Sequence, residues 1–245
     1  MRHACAVFNP FPTFDATNPQ VKSAQKTLEI RGKSADVGKN VILFPWQTAT
    51  DYVILKPRLS SALKQLTVCL RSYTELSRHY ALFSIATPGS KNDNTFLIYS
   101  MPPNIISVTV NQEDIRFKVD PEVLDWKHTC VTWDSVTGLL QLWINGKCYP
   151  KRVTKTRSPI GPQMNVILGQ DQDTYGGTFE AVQSFVGEIC EVNMWDFVLS
   201  PAKLTQYFYF YGDINGNIIT SKNYQYERRG NANVLQNEFC FSYPT

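Results

Sequence analysis

From Val37 to the end of the chain, short apolar runs alternate with turn residues. Val41–Phe44 is one such run, and the runs that follow it are similarly rich in β-branched and aromatic side chains. The clearest hairpin signal is Leu139–Ile144, because Asn145 and Gly146 come next and this pair readily takes the positive φ angles of a tight turn. Runs of this length and spacing predict an all-β sandwich, and a chain of 245 residues is long enough for one such domain.

A single helix is predicted near the C-terminal end. Ser200 is a favourable N-cap, and Pro201 suits the first helical position because its missing N–H is not needed there. Leu204, Tyr207 and Phe208 then recur at helical spacing. We expect this short helix to pack against one face of a sheet.

Residues 1–36 differ from the rest of the chain. They are polar, are interrupted by prolines and show no hydrophobic period, so we interpret them as a poorly ordered extension that precedes a domain at 37–245. The apolar run at residues 4–8 stops at Asn9 and Pro10, which is too short for the hydrophobic region of a secretory signal peptide. No other apolar run approaches the length of a membrane span, so the chain is not expected to be transmembrane.

The composition is that of a globular chain, with 43% hydrophobic and 18% charged residues. The net charge of +3 comes from scattered Lys and Arg side chains. The densest basic run, residues 151–157, is typical of a solvated loop, so we do not expect nucleic acid to be the main partner.

Six cysteines allow fifteen disulfide connectivities, and their spacing selects none of them. There is no CxxC pair and no Cys/His cluster at zinc-finger spacing. Buried free thiols remain an alternative. The cysteines are Cys5, Cys69, Cys130, Cys148, Cys190 and Cys240.

The loop at residues 169–183 is dense in oxygen-bearing side chains and contains two adjacent glycines. Asp171 and Asp173 could hold one hard cation while Glu180 and Gln183 fold back toward it, since calcium takes six to eight oxygen ligands. The alternative is a solvated acidic loop, because the spacing is not that of an EF-hand. A second oxygen-rich segment, residues 92–94, is typical of a turn when taken alone.

The segment His128–Ser135 fits the pentraxin signature His-x-Cys-x-Ser/Thr-Trp-x-Ser/Thr at every fixed position. The stretch Ile167–Leu199 is similar to the same family, and the similarity extends from Val37 to the C-terminus. The chain therefore resembles the pentraxin family. The resemblance implies a two-sheet antiparallel jelly roll, a concanavalin-like sandwich with one helix on one face. It also implies a homo-oligomeric ring of five subunits with the calcium sites on the opposite face.

The resemblance implies a disulfide between Cys69 and Cys130. A disulfide needs an oxidising compartment, so it favours secretion even though no signal peptide is readable. The resemblance also implies two calcium ions per subunit, with ligands from both oxygen-rich segments. The first ion would take Asp93, Asn94, Asp171, Asp173 and the main-chain carbonyl of Gln172, and the second would take Asp171, Asp173, Glu180 and Gln183.

A phosphate could bridge these two ions, with Tyr99 and Thr109 beside the alkyl part of the ligand and Asp114 facing a substituted ammonium group. Asp171 and Asp114 stand where the human members of the family have Glu, so we expect a weaker second ion site and an altered selectivity for choline. Through the same resemblance, Tyr99 implies phosphoethanolamine or phosphorylated sugars as ligands.

The resemblance therefore implies a non-enzymatic, calcium-dependent recognition protein of innate immunity. Its ligands would be phosphorylated head groups, phosphocholine among them, or glycans on microbial or damaged-cell surfaces. Engagement of complement is left open.

One alternative is a glycosidase, which needs two carboxyl groups about 5 to 10 Å apart. Only Asp171/Asp173 and Asp120/Glu122 have the spacing that places two acidic residues on one face of a strand. A jelly roll alone does not establish this activity.

Two further alternatives remain. His128 and Cys130 could share a strand face as a catalytic dyad, although Cys130 has an implied disulfide partner. The chain could also be an interaction protein that kept the fold and lost calcium binding, an interpretation motivated by Asp171 and by the unusual N-terminus.

Overall fold

The structure is a computed structural model that describes residues 39–89, 91–121, 123–209, 214–223, 225–238 and 240. The predicted N-terminal extension at 1–36 and Cys5 lie outside these residues. So does Glu122, one of the two carboxylates of the second acidic pair.

The described residues form 15 β-strands, one α-helix and one turn of 3₁₀-helix. The helix, α1, spans Pro201–Tyr209, and the 3₁₀ turn spans Ala181–Gln183. The strands are β1 (Lys39–Phe44), β2 (Tyr52–Leu55), β3 (Gln65–Tyr73), β4 (Tyr80–Ala86), β5 (Phe96–Met101), β6 (Ile105–Val110), β7 (Glu113–Lys118), β8 (Lys127–Asp134), β9 (Leu139–Ile144), β10 (Lys147–Cys148), β11 (Arg152–Val153), β12 (Asn165–Leu168), β13 (Gly187–Trp195), β14 (Tyr226–Arg229) and β15 (Asn233–Glu238).

The strands pair into two antiparallel sheets. Sheet A has the order β10-β9-β8-β3-β13-β1-β15, with β11 also pairing with β9, and sheet B has the order β14-β2-β12-β4-β5-β6-β7. Alternate side chains of both sheets fill one core between them; Phe83, Phe96 and Trp133 are among its fully buried members. The predicted jelly-roll sandwich is confirmed.

The local signals identified in the sequence have their expected geometry. Asn145 and Gly146 both have positive φ angles, 47° and 75°, and they connect β9 to β10 as a hairpin. At the start of α1, the Lys203 N–H donates to the Ser200 hydroxyl over 3.3 Å, which is the bond expected of an N-cap.

Helix α1 packs on the outer face of sheet A. Its Leu204 and Tyr207 are buried in a second apolar cluster with Trp143 and Trp195, whose neighbours along the strands point into the core. The Asn193 amide donates to the Tyr207 hydroxyl over 2.6 Å, so the contact is also hydrogen-bonded. This face of the sandwich is therefore covered, and the outer face of sheet B lies on the opposite side.

A buried ion pair lies under the helix. Arg71 Nε is 2.6 Å from Glu191 Oε2, and the two side chains are only 3% and 1% exposed. Glu191 has a φ of 50° and lies where the register between β13 and β3 shifts, so a β-bulge directs its carboxylate to the helix side. The guanidinium also donates to the Phe208 carbonyl over 3.3 Å. The ion pair thus ties α1 to sheet A.

The structure contains the Cys69–Cys130 disulfide that the resemblance implies, between directly paired residues of β3 and β8. It also contains Cys190–Cys240, which the sequence could not assign. This second bond connects β13 to the segment after β15 and packs with Val41 of the intervening strand β1. Cys148 is disulfide-bonded as well. Among the described residues no cysteine is free.

Candidate calcium and ligand site

The loop after β12 is fixed by its own polar side chains. The buried Gln172 amide donates to the Ser84 and Asn165 carbonyls, and its oxygen accepts the Gly176 N–H over 3.0 Å. A side chain at Gly176, where φ is 79°, would come within 2.5 Å of the Asn165 amide. The Gln172 side chain therefore belongs to the loop scaffold, and only its main-chain carbonyl is a candidate ligand.

Four carboxylates of the predicted calcium site act on one another. Burial, followed by the charge of Asp173, raises the pKa of Asp171 to about 7, and Asp93 and Glu180 add to this. Burial, then Glu180 and Asp93, raises the pKa of Asp173. Asp171 is only 8% exposed, so its ionised form is poorly solvated. Such a group of carboxylates favours a cation among them.

Three predicted ligands carry buried oxygens without a hydrogen-bond partner. These atoms are Asn94 Oδ1, Asp171 Oδ1 and Gln183 Oε1. A buried acceptor without a donor costs about 1 to 3 kcal/mol. Three such acceptors beside four acidic groups therefore destabilise the folded loop when no cation is bound. A hard cation that binds oxygen would satisfy all of them, and the residues therefore fit calcium.

The turn at residues 92–94 meets the loop although it is far away in sequence. Asp93 acts electrostatically on Asp171 and Asp173, and Asn94 donates from Nδ2 to Asp93 Oδ2 over 3.1 Å. This leaves Asn94 Oδ1 for a cation. Within the described part of the chain, no three of the four carboxylates have oxygens within 4.8 Å of one another.

Arg78 positions the far side of the site, and sequence reasoning missed it. Its Nη1 donates to the Val182 and Ser184 carbonyls over 3.1 and 2.7 Å, which holds the 3₁₀ turn that carries Gln183. Tyr99 lies close by: burial and the charge of Asp171 raise its pKa to about 12, while Arg78 opposes this. Arg78 lies in the segment between β3 and β4, where a lone Arg gives no signal in sequence.

The three predicted ligand-contact residues share one face. Tyr99 on β5, Thr109 on β6 and Asp114 on β7 alternate with core residues such as Ile98 and Val108, so they lie on the outer face of sheet B. Thr109 and Asp114 are directly paired. This face is opposite the one that α1 covers.

The carboxylate of Asp114 is already engaged. Its Oδ1 accepts a hydrogen bond from the Ser107 hydroxyl, and its Oδ2 is 3.0 Å from Arg116 Nε. Neither Ser107 on β6 nor Arg116 on β7 was singled out in the sequence, and β7 is a polar strand at the edge of its sheet. Asp114 is thus not a free anion.

The residues of the enzyme alternatives have other roles. Cys130 is disulfide-bonded and cannot be a thiolate nucleophile. His128 is buried, and this burial, with the charge of Arg71, holds its pKa well below the usual range. Asp120 forms an ion pair with Lys147 over 2.6 Å. Among the described residues, no helix is long and apolar enough to cross a membrane.

Comparison with known proteins gives one consistent result. The model of the Pentaxin family matches residues 40–236. Jeltraxin from Lepidobatrachus laevis is 58% identical over 202 residues, which cover 82% of this chain and 89% of jeltraxin. Human C-reactive protein is 39% identical over 197 residues, covering 80% and 87%. The native heptameric SAP-like pentraxin from Limulus polyphemus superposes with a TM-score of 0.72 over 84% of this chain and 99% of that chain, at 24% identity.

Proposed function

Because this chain belongs to the pentraxin family, we propose that it is a calcium-dependent recognition protein that binds ligands without converting them. Its ligands are phosphorylated head groups or glycans on microbial or damaged-cell surfaces. The observation that carries the proposal is the set of three buried, unpartnered oxygens on Asn94, Asp171 and Gln183 among coupled carboxylates.

In this proposal two calcium ions bind at the loop. Asp93, Asn94, Asp171, Asp173 and the Gln172 carbonyl hold one, and Asp171, Asp173, Glu180 and Gln183 hold the other. When bound, the ions supply positive charge and open coordination positions for a phosphate. The protein orients the rest of the ligand: Tyr99 and Thr109 give a wall on the outer face of sheet B.

The test is capture on immobilised phosphoethanolamine and phosphocholine. We expect retention in calcium and release by a chelator. Glu180→Gln should weaken capture by about tenfold or more, because it removes a charged ligand. Glu227→Gln is the matched control, since this exposed residue lies on β14 and pairs with Lys56. Equal capture by the two variants, or capture that survives the chelator, would contradict the calcium mechanism.

The second candidate is a pentraxin that has lost calcium binding. It is favoured by the shorter Asp171 and by the separation of the carboxylates, of which no three described ones approach within 4.8 Å. Calorimetry decides between them: absence of calcium uptake, with no retention on either resin, would leave this second candidate.

We also propose that the protein is secreted and forms a ring of five subunits. The disulfides Cys69–Cys130 and Cys190–Cys240 favour an oxidising compartment. Native mass spectrometry of protein recovered from the medium of expressing cells should give five times the mass that the same protein shows after denaturation. Another multiple would correct the ring size, and absence from the medium would contradict secretion.

A further inference from the structure

We propose that Arg116 is a specificity-determining residue that selects phosphomonoesters with a second anionic group over phosphocholine. The inference rests on the proposed function, because it concerns the end of the same site away from the phosphate. It starts from the observation that the Asp114 carboxylate is bonded to Ser107 and Arg116. Without these partners, Asp114 would be available to face a substituted ammonium group.

The strand register places Arg116 among the ligand-contact residues. Ser107 pairs with Tyr99 on one side and with Arg116 on the other, while Thr109 pairs with Leu97 and Asp114. These residues form two neighbouring cross-strand rows on the outer face of sheet B. Directly opposed residues are about 5 Å apart, so Arg116 lies about 10 Å from Tyr99, within reach of one small ligand.

The charges in these rows disfavour a quaternary ammonium group. Such a group has no N–H to donate and depends on an aromatic face or an unneutralised carboxylate. Both oxygens of Asp114 have partners here, and one partner is a guanidinium cation. Arg116 therefore neutralises the anion and repels a second cation at the same place.

The same guanidinium can attract an anion. The ion pair uses Nε, and an arginine side chain has further N–H donors in a planar fork that suits carboxylate and phosphate oxygens. Its side chain is 62% exposed, so a ligand can reach it. The ligand class is a phosphomonoester whose phosphate meets the calcium ions and whose carboxylate or second phosphate meets Arg116.

The test compares phosphoglycolate with phosphocholine, each measured by calorimetry with calcium present. Both are small phosphomonoesters, but one ends in a carboxylate and the other in a quaternary ammonium. We expect the wild-type protein to prefer phosphoglycolate. In Arg116→Leu the ratio of the two affinities should shift toward phosphocholine by about three- to tenfold, a moderate effect because the group is exposed to solvent.

Two variants serve as controls. Lys118→Leu removes the same charge from the same strand one row further away, and it should leave the ratio unchanged. Arg116→Lys keeps the charge and should retain most of the preference. An equal shift in Arg116→Leu and Lys118→Leu, or no shift in either, would overturn the inference while calcium-dependent binding persists. Failure of the wild-type protein to bind any phosphomonoester with calcium would instead refute the proposed function, and the inference with it.

Discussion

Asp171→Asn is expected to raise the free energy of unfolding in a chelator and to lower it, relative to wild type, in calcium. Burial and the neighbouring acidic residues raise the pKa of Asp171 from 3.8 to about 7, which corresponds to roughly 4 kcal/mol of destabilisation when the carboxylate is ionised. Local relaxation reduces this, and we expect the amide to stabilise the chelated protein by about 2 kcal/mol.

The sign follows from proton binding. Between pH about 4 and about 7 the folded chain keeps a proton on Asp171 that the unfolded chain has lost, so wild-type stability in chelator falls as pH rises through this window. The Asn variant lacks this fall. In calcium the wild-type protein is stabilised by the free energy of calcium binding. The Asn variant loses this stabilisation because it lacks the Asp171 carboxylate that coordinates the ion.

Chemical denaturation at several pH values, with calcium and with chelator, measures both effects. Asp196→Asn removes the same charge from an exposed residue outside the loop and should show neither. Destabilisation of Asp171→Asn by the same amount in calcium and in chelator would mean that Asp171 supports the loop rather than an ion.

Glu191→Gln is expected to cost about 3 to 5 kcal/mol of stability. The substitution leaves Arg71 charged in a site where its side chain is 3% exposed, and the Glu191 carboxylate is the partner at 2.6 Å. Replacing both residues, as in Arg71→Met with Glu191→Met, should recover much of this loss, because the pair has been taken out of water at a cost of its own.

Urea unfolding of Arg71→Met, Glu191→Met and the double variant gives the coupling energy directly. Glu227→Gln again provides the control, since the same chemical change at an exposed ion pair should have little effect. If the double variant is as unstable as the sum of the single ones, the ion pair is not the unit that stabilises α1 on sheet A.

Strands that bury side chains were predictable from sequence, and polar ones were not. Tyr80–Ala86 is buried throughout, so its apolar run was visible. Glu113–Lys118 alternates between the core and solvent and carries mostly charged residues, and strands β14 and β15 are similarly polar. Strand β7 pairs with its neighbour β6, whereas β14 and β15 pair with the distant strands β2 and β1, and local propensity does not encode such distant pairing.

The candidate site divides in the same way. The loop that carries Asp171 and Asp173 could be recognised by its many oxygen-bearing side chains. Asp93 lies close to this loop only because the β-sandwich brings the two segments together, and sequence spacing alone gave no reason to expect it. Family resemblance supplied that connection. It could not supply Arg116, because the ion pair with Asp114 departs from what the resemblance implied.

The bond between Cys190 and Cys240 bears on how the molecule avoids aggregation. Among the described strands, β15 is the last of sheet A, and no described strand pairs with its outer side, the side on which a foreign strand could pair. The disulfide attaches the segment after β15 to β13, two places inward, and so resists the peeling away of the terminal strand. Exchange of that strand between neighbouring molecules requires this peeling, and in the oxidised protein it is covalently opposed.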